Sequence, residues 1–182
     1  MNLANKLTIL RVILVPVFIA FMMVDTLWAK IIGLIVFILA SLTDTLDGQI
    51  ARKKQMITTF GKFADPLADK MLTTAAFLVF MKDDIIGVWP VFIILVREFA
   101  VSGVRLAAAA DGEVIAASFW GKFKTVTQMI SIIVGIALMC IPQISASLST
   151  VITQILVWIC VLFTVISGGE YIVKNWKLMK LK

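Results

Sequence analysis

Apolar residues occur in six long runs along the 182-residue chain, and polar residues concentrate in the short stretches between them. A helix that crosses a bilayer needs about 20 mostly apolar residues. The runs therefore predict six spans, at 9–24, 28–50, 63–81, 86–109, 118–140 and 149–173. The stretch from Asn2 to Leu10 predicts a short interfacial helix that continues into the first span. We expect an all-α integral membrane protein, a six-transmembrane-helix bundle in which residues 1–182 form a single domain.

The composition supports a membrane protein and excludes several other classes. Hydrophobic residues make up 61% of the chain and charged residues 15%, against about 25% charged residues in soluble domains. Mean hydropathy is +1.04, which excludes a disordered chain. Cys140 and Cys160 lie far apart inside apolar runs, which excludes a disulfide scaffold. Histidine is absent, so acid–base chemistry and metal binding must use other side chains.

Basic residues predict the orientation of the chain in the membrane. Of the 17 basic residues, Lys70 and Arg97 lie within predicted spans. Lys30 and Lys82 lie on one side of the predicted membrane, and all the others lie on the opposite side. Because cytoplasmic loops carry an excess of Lys and Arg, both termini are predicted to be cytoplasmic. The net charge of +6 then forms a cytoplasmic collar suited to anionic membrane lipids, and no nucleic-acid partner is expected.

Four aspartates lie near the cytoplasmic ends of the second and third predicted spans. Asp44 and Asp47 share a helix face with Gly48 and Ala51, and the spacing of Gly61, Asp65 and Asp69 also places those residues on one face. The short basic loop between the spans makes the two helix ends neighbours. Pro66 indicates that the third helix either starts near this point or is kinked there.

Ionisable residues inside spans are costly and are functional candidates by default. Four facing carboxylates would repel one another unless cations lay between them. All-oxygen sites suit Mg²⁺ or Mn²⁺, and four shared carboxylates suit two such ions, as in phosphoryl-transfer sites. The four aspartates therefore predict a centre of two divalent metal ions.

The order of these residues resembles the signature of the CDP-alcohol phosphotransferase family. The pattern runs Asp44-x-x-Asp47-Gly48-x-x-Ala51-Arg52 and, eight residues later, Gly61-x-x-x-Asp65-x-x-x-Asp69. The resemblance implies six transmembrane helices, a homodimer and two divalent metals in an enzyme that displaces CMP from a CDP-linked substrate.

Roles follow from the same resemblance. Metal binding is expected at Asp44, Asp47, Asp65 and Asp69, with Asp69 also the catalytic base. CDP binding is expected at Asp47, Gly48, Ala51, Arg52 and Gly61, where small residues allow close approach and Arg52 contacts phosphates.

A narrower resemblance, from about residue 2 to residue 128, is to the bacterial branch of the family whose acceptor is glycerol 3-phosphate. It rests on further segments: Asn5-Lys6-Leu7-Thr8 with Arg11, Asp65 to Lys70, Arg97-Glu98-Phe99, Ser102-Gly103-x-Arg105, and Gly121-Lys122-x-Lys124-Thr125-x-x-Gln128. It departs from that branch at Ala4, where relatives often have proline.

Basic residues of these segments suit a phosphorylated acceptor. Candidate acceptor-phosphate ligands are Lys62, Arg97, Arg105, Lys122 and Lys124. Alternatives stay open for most of them. Arg97 could pair with the adjacent Glu98, Lys122 and Lys124 could serve topology alone, and Lys62 could bind a lipid headgroup.

The expected reaction is transfer of a phosphatidyl group from CDP-diacylglycerol to glycerol 3-phosphate, giving phosphatidylglycerol phosphate and CMP at a bacterial plasma membrane. Direct in-line displacement is expected at a site open to the cytoplasm. One alternative is a family member with another acceptor, of the cardiolipin or phosphatidylinositol phosphate type. Another is a divalent-cation transporter, which should place polar groups on both sides of the membrane midplane. The far halves of these spans are almost wholly apolar.

Overall fold

Six helices account for nearly all of the part of the chain that is described. The computed structural model describes residues 3–54, 59–110, 115 and 118–175. Side chains are described in these ranges except at residues 3–5, 44–54, 59–67, 69, 107, 109 and 110. The helices are α1 (Leu3–Met22), α2 (Leu27–Lys54), α3 (Thr59–Lys82), α4 (Val88–Ala110), α5 (Phe119–Met139) and α6 (Ala146–Asn175).

Each helix matches one predicted apolar run, although most helices extend beyond it. The predicted interfacial stretch and the first span form one continuous helix, α1, because no proline or glycine interrupts the chain before Pro16. α3 begins at Thr59, so the first of the two alternatives for Pro66, a helix that starts near it, is wrong, and a kink there stays a prediction. A proline removes one backbone hydrogen bond of a helix, and α3 continues past Pro66 without that bond.

α1 packs against both α2 and α3 and forms the centre of the first half of the bundle. α1 and α2 run antiparallel in a close register. The rings of Phe18 and Phe37 lie 5.6 Å apart, and a methyl group built on Gly33 would lie 2.7 Å from the sulfur of Met22. Gly33 therefore allows these two helices to approach closely.

The second half of the bundle is held together by α6, which packs against α4 and α5. Within the described ranges, α4 and α5 make no direct backbone approach to each other. Ser131 of α5 donates a hydrogen bond to the carbonyl of Leu156 in α6, at 2.9 Å. The separation of α4 and α5 leaves room between them for the cavity described below.

The outer surface of the bundle is apolar. Large hydrophobic side chains are exposed along the helices, among them Trp28, Trp89 and Val173, each more than 60% exposed. Surfaces of this kind are typical of contact with lipid. In the described part of the chain, two helices, α5 and α6, are long and apolar enough to cross a membrane.

Candidate active site

The residues of the aspartate motif lie on two helices, at the same end of the bundle. Asp44, Asp47, Gly48, Ala51 and Arg52 lie in the last turns of α2. The first turns of α3 contain Gly61, Lys62, Asp65 and Asp69. α2 ends at Lys54 and α3 begins at Thr59, so the two halves of the motif lie on helix ends that follow each other along the chain. The side chains of these residues lie outside the described part of the structure.

The faces that bear the aspartates continue the buried faces of their helices. On α2, Phe37 and Ala40 are fully buried, and Asp44 and Asp47 follow at helical spacing. On α3, Leu72 and Ala76 are buried, and Asp65 and Asp69 precede them on the same face. Both faces therefore belong to the side of each helix that packs into the bundle.

Arg11 of α1 is a buried cation at the level of this motif. α1 and α2 are antiparallel, with Phe18 opposite Phe37 and Met22 opposite Gly33. Arg11 lies seven residues before Phe18, and Asp44 lies seven residues after Phe37. The backbone positions of Arg11 and Asp44 are therefore level with each other. The Arg11 side chain is 1% exposed, as is that of Thr8 one turn earlier. The sequence counted Arg11 among the basic collar, although its heptad spacing from Phe18 could have indicated burial.

No cluster of three potential metal ligands occurs among the residues whose side chains are described. The side chains of the four aspartates lie outside the described part. Their chemistry is that of an all-oxygen donor set, which fits hard divalent cations.

A polar cavity of about 190 Å³ lies between α3, α4 and α5, at the same end of the bundle as the aspartate motif. Its described lining includes four basic side chains and one acidic one: Lys70, Arg97, Arg105, Lys122 and Glu98. Thr73, Ser102, Thr125 and Gln128 add hydroxyl and amide groups. This lining combines an excess of cations with neutral hydrogen-bonding groups, which suits a small phosphorylated molecule.

Arg97 projects from α4 between two glycines. A methyl group built on Gly168 of α6 would lie 3.2 Å from Arg97 Cγ, and one built on Gly121 of α5 would lie 3.6 Å from Nη2. Arg97 Nη1 lies 3.8 Å from Oε2 of Glu98, so the pair that the sequence left open is present as a loose contact. The buried Nε of Arg97 has no hydrogen-bond partner within the described ranges.

Lys124, another candidate acceptor ligand, is buried behind the cavity wall. Its side chain is 1% exposed, and its ammonium forms an ion pair with Glu98 and donates a hydrogen bond to Oε1 of Gln128. Glu98 and Gln128 line the cavity, whereas Lys124 is not among the described lining residues. Sequence reasoning named Glu98 as a possible partner of Arg97 and gave Gln128 no role, and the packing of α4 and α5 on α6 brings Glu98, Lys124 and Gln128 together.

Arg105 and Lys122 complete the basic part of the cavity. The guanidinium of Arg105 lies 5.7 Å from the ring centre of Tyr171 on α6, within the range of a cation–π contact. Lys122 is exposed in the first turn of α5. Ser118 caps that helix, and its hydroxyl accepts a hydrogen bond from the Gly121 amide at 3.1 Å. Three of the five predicted acceptor ligands therefore line one cavity, while the Lys62 side chain lies outside the described part.

Comparison with known proteins shows the family to which this chain is similar. The profile of the CDP-alcohol phosphatidyltransferase family matches residues 1–166. A Bacillus subtilis (strain 168) protein named CDP-diacylglycerol–glycerol-3-phosphate 3-phosphatidyltransferase is 41% identical, over 98% of this chain and 97% of its own. A Rickettsia typhi protein of the same name is 36% identical, over 93% of this chain and 94% of its own.

A Mycobacterium tuberculosis (H37Rv) protein named as a probable phosphatidylglycerophosphate synthase is 37% identical, over 95% of this chain and 81% of its own. These matches cover nearly the whole chain and so extend well beyond the aspartate motif. The chain belongs to the CDP-alcohol phosphatidyltransferase family.

Proposed function

We propose that this enzyme transfers a phosphatidyl group from CDP-diacylglycerol to glycerol 3-phosphate, releasing phosphatidylglycerol phosphate and CMP. The observation that carries the proposal is the cavity beside the motif, in which Arg97, Arg105 and Lys122 offer cations to a phosphorylated acceptor. A neutral alcohol acceptor would not need this excess of positive charge. The names of the Bacillus and Rickettsia relatives, which match along nearly their full length, agree with this acceptor.

Asp44, Asp47, Asp65 and Asp69 are the proposed ligands of two divalent metal ions, Mg²⁺ or Mn²⁺. Support comes from the position of all four residues near the adjoining ends of α2 and α3, and from their all-oxygen chemistry. When bound, such ions neutralise a diphosphate and stabilise the charge that develops on the leaving phosphate. Gly48, Ala51 and Gly61 are proposed to admit the nucleotide, with Asp47 and Arg52 as its polar contacts.

The remaining steps are assigned to side chains of this chain. Arg97, Arg105 and Lys122 bind the acceptor phosphate, with Lys62 a further candidate, and so direct the acceptor hydroxyl towards α2 and α3. Asp69 accepts the hydroxyl proton as general base. The hydroxyl oxygen then attacks the phosphorus that bears diacylglycerol. As the new P–O bond forms, the P–O bond to CMP breaks, and CMP leaves with the bonding electrons.

The proposed setting is a bacterial plasma membrane crossed by all six helices, with both termini and the active site in the cytoplasm. It is supported by the apolar outer surface and by the position of Lys30 and Lys82 at the end of the bundle away from the motif. The acyl chains of the donor would enter sideways from the bilayer. A homodimer is proposed from membership of the family.

The test uses purified protein in detergent with CDP-diacylglycerol and Mg²⁺, and measures CMP release. Glycerol 3-phosphate, inositol phosphate, serine, phosphatidylglycerol and no acceptor are compared, with the Asp69→Asn variant beside the unmodified protein. Release with glycerol 3-phosphate alone, abolished in Asp69→Asn, is the expected result. Release with a different acceptor would contradict the proposed substrate and would reassign the cavity.

A further inference from the structure

An acidic side chain in a site for a phosphorylated acceptor needs an explanation. Glu98 lines the cavity and is 16% exposed, so an uncompensated carboxylate there would repel a phosphate dianion. The ammonium of Lys124 lies against Glu98 Oε1 and is withdrawn from solvent. The buried lysine therefore neutralises the one acidic group of the described cavity lining.

The same ammonium fixes the orientation of the Gln128 amide. A lysine ammonium only donates hydrogen bonds, so the group that faces it must be the amide oxygen. The Gln128 NH₂ group is then directed away from Lys124, and Gln128 lines the cavity. Within the described ranges, no protein group accepts a hydrogen bond from this NH₂ group.

The contact also connects two helices whose backbones do not approach each other. α4 and α5 pack separately on α6, and the Glu98–Lys124 ion pair joins them across the cavity wall. A buried ion pair of this kind specifies geometry rather than adding much stability. Loss of one partner leaves the other charge without this counter-ion, whereas loss of both removes the pair together.

We propose that Lys124 is a positioning residue of the acceptor site and not a phosphate ligand. It neutralises Glu98 and holds the Gln128 amide so that its NH₂ group donates to an oxygen of a phosphorylated acceptor. Lys124 thereby makes the cavity selective for an anionic acceptor without contacting it. This inference rests on the proposed function, because it assigns the cavity to the acceptor.

Charge removal on either side of the ion pair tests the inference. Lys124→Met is expected to raise the KM for glycerol 3-phosphate by about tenfold or more, since Glu98 then faces the phosphate with only its loose contact to Arg97. The double variant Glu98→Gln/Lys124→Met is expected to return this KM to within about threefold of the unmodified value. The KM for CDP-diacylglycerol should stay unchanged throughout. Because the double variant removes both charges of the ion pair, it keeps the test open if Lys124→Met does not fold.

Lys122 supplies the matched control, because it lies two residues away and lines the cavity directly. Lys122→Met should also raise the acceptor KM, but addition of Glu98→Gln should not restore it. A double variant Glu98→Gln/Lys124→Met with a KM as high as that of Lys124→Met would overturn the inference, because Lys124 would then bind phosphate itself.

A second readout needs no turnover. The affinity of inorganic phosphate is measured from the rise in thermal unfolding temperature with phosphate concentration. Phosphate affinity is expected to fall in Lys124→Met and to recover in the double variant. An equal loss of phosphate affinity in both variants would overturn the inference. Failure of the unmodified protein to use glycerol 3-phosphate would contradict the proposed function alone, since the phosphate titration still decides the role of Lys124.

Gln128→Met tests the amide. The variant keeps nearly the same volume and adds no charge to the cavity, but it removes the NH₂ donor. Because Lys124 keeps its ion pair with Glu98, a Gln128 that only packs would tolerate this change, whereas a donor to the acceptor molecule would not. We expect the acceptor KM to rise about tenfold or more. An unchanged KM would exclude the contact between the amide and the acceptor.

Discussion

Single small residues decide where the long basic side chains of this site lie. Arg97 extends from α4 past Gly168 of α6 and reaches Gly121 of α5. A Cβ on Gly168 would crowd the stem of Arg97 at 3.2 Å, whereas a Cβ on Gly121 would be in ordinary van der Waals contact with the guanidinium at 3.6 Å. The path of the Arg97 side chain therefore depends on Gly168 of α6 as well as on its own helix.

Gly168→Val should displace Arg97, because a Cβ at this position already lies 3.2 Å from Arg97 Cγ. We expect the KM for glycerol 3-phosphate to rise about tenfold, as for the loss of one charged hydrogen bond. Gly169→Val is the matched control, since a Cβ there meets nothing within 4 Å and the helix-propensity cost is the same. Equal acceptor KM values in the two variants would contradict this placement of Arg97.

Among the elements, α1 packs on both helices that carry the aspartate motif, α2 and α3. Its register brings buried Arg11 level with Asp44 on the α2 backbone. We expect a buried cation at this level to balance part of the negative charge of the motif. The N-terminal segment predicted as an interfacial helix is exposed at Lys6, Ile9 and Leu10 and buried at Thr8, so one of its faces packs into the bundle.

Arg11→Met should lower kcat by about 100-fold or more, the usual cost of losing a preorganised charge at a reaction centre. Lys6→Met on the same helix should leave kcat within about twofold, because Lys6 is exposed. CMP release is measured at saturating substrates, with thermal unfolding as a check on folding. Similar kcat values for the two variants would show that the buried position of Arg11 carries no electrostatic role.

Close helix contacts set the packing of the bundle core. A Cβ on Gly135 of α5 would lie 2.6 Å from Cζ of Phe80 and 2.9 Å from Cγ2 of Thr153. Phe80 and Thr153 are fully buried. Gly135 therefore lets α3, α5 and α6 meet.

Gly135→Ala should be less stable than Gly103→Ala by about 1–3 kcal/mol, the usual cost of overpacking. Both variants gain the same helix propensity, and a Cβ on Gly103 meets nothing within 4 Å, so the difference isolates the clash. Thermal unfolding in detergent measures both stabilities. Equal midpoints would mean that the core has room for the added methyl group.

At the scale of the whole molecule, charge and apolar surface are arranged along the bundle axis. The end that holds the motif and the cavity is strongly basic. At the opposite end, Lys30 pairs with Asp25 at 3.7 Å and Lys82 with Asp83 at 2.9 Å, so little net charge remains there. Such an asymmetry predicts that the basic end faces the cytoplasm.

Cysteine labelling on α1 tests this orientation. In a variant without Cys140 and Cys160, Lys6→Cys and Asp25→Cys place thiols near opposite ends of α1, and both positions are exposed. A membrane-impermeant maleimide should label Asp25→Cys in intact cells and Lys6→Cys only after permeabilisation. The reverse pattern would invert the topology and would place the acceptor cavity outside the cell.

The sequence by itself determined the six helices and the motif, because long apolar runs and fixed helical spacing are local properties of the chain. It also identified Arg97, Arg105 and Lys122 as companions, since basic residues beside a phosphate site share one chemistry. Tertiary structure decided which lysine is free to bind: Lys122 and Lys124 are two residues apart, yet one faces the cavity and the other is buried against Glu98. That difference depends on how α4 and α5 pack on α6, a long-range contact with no local sequence signal.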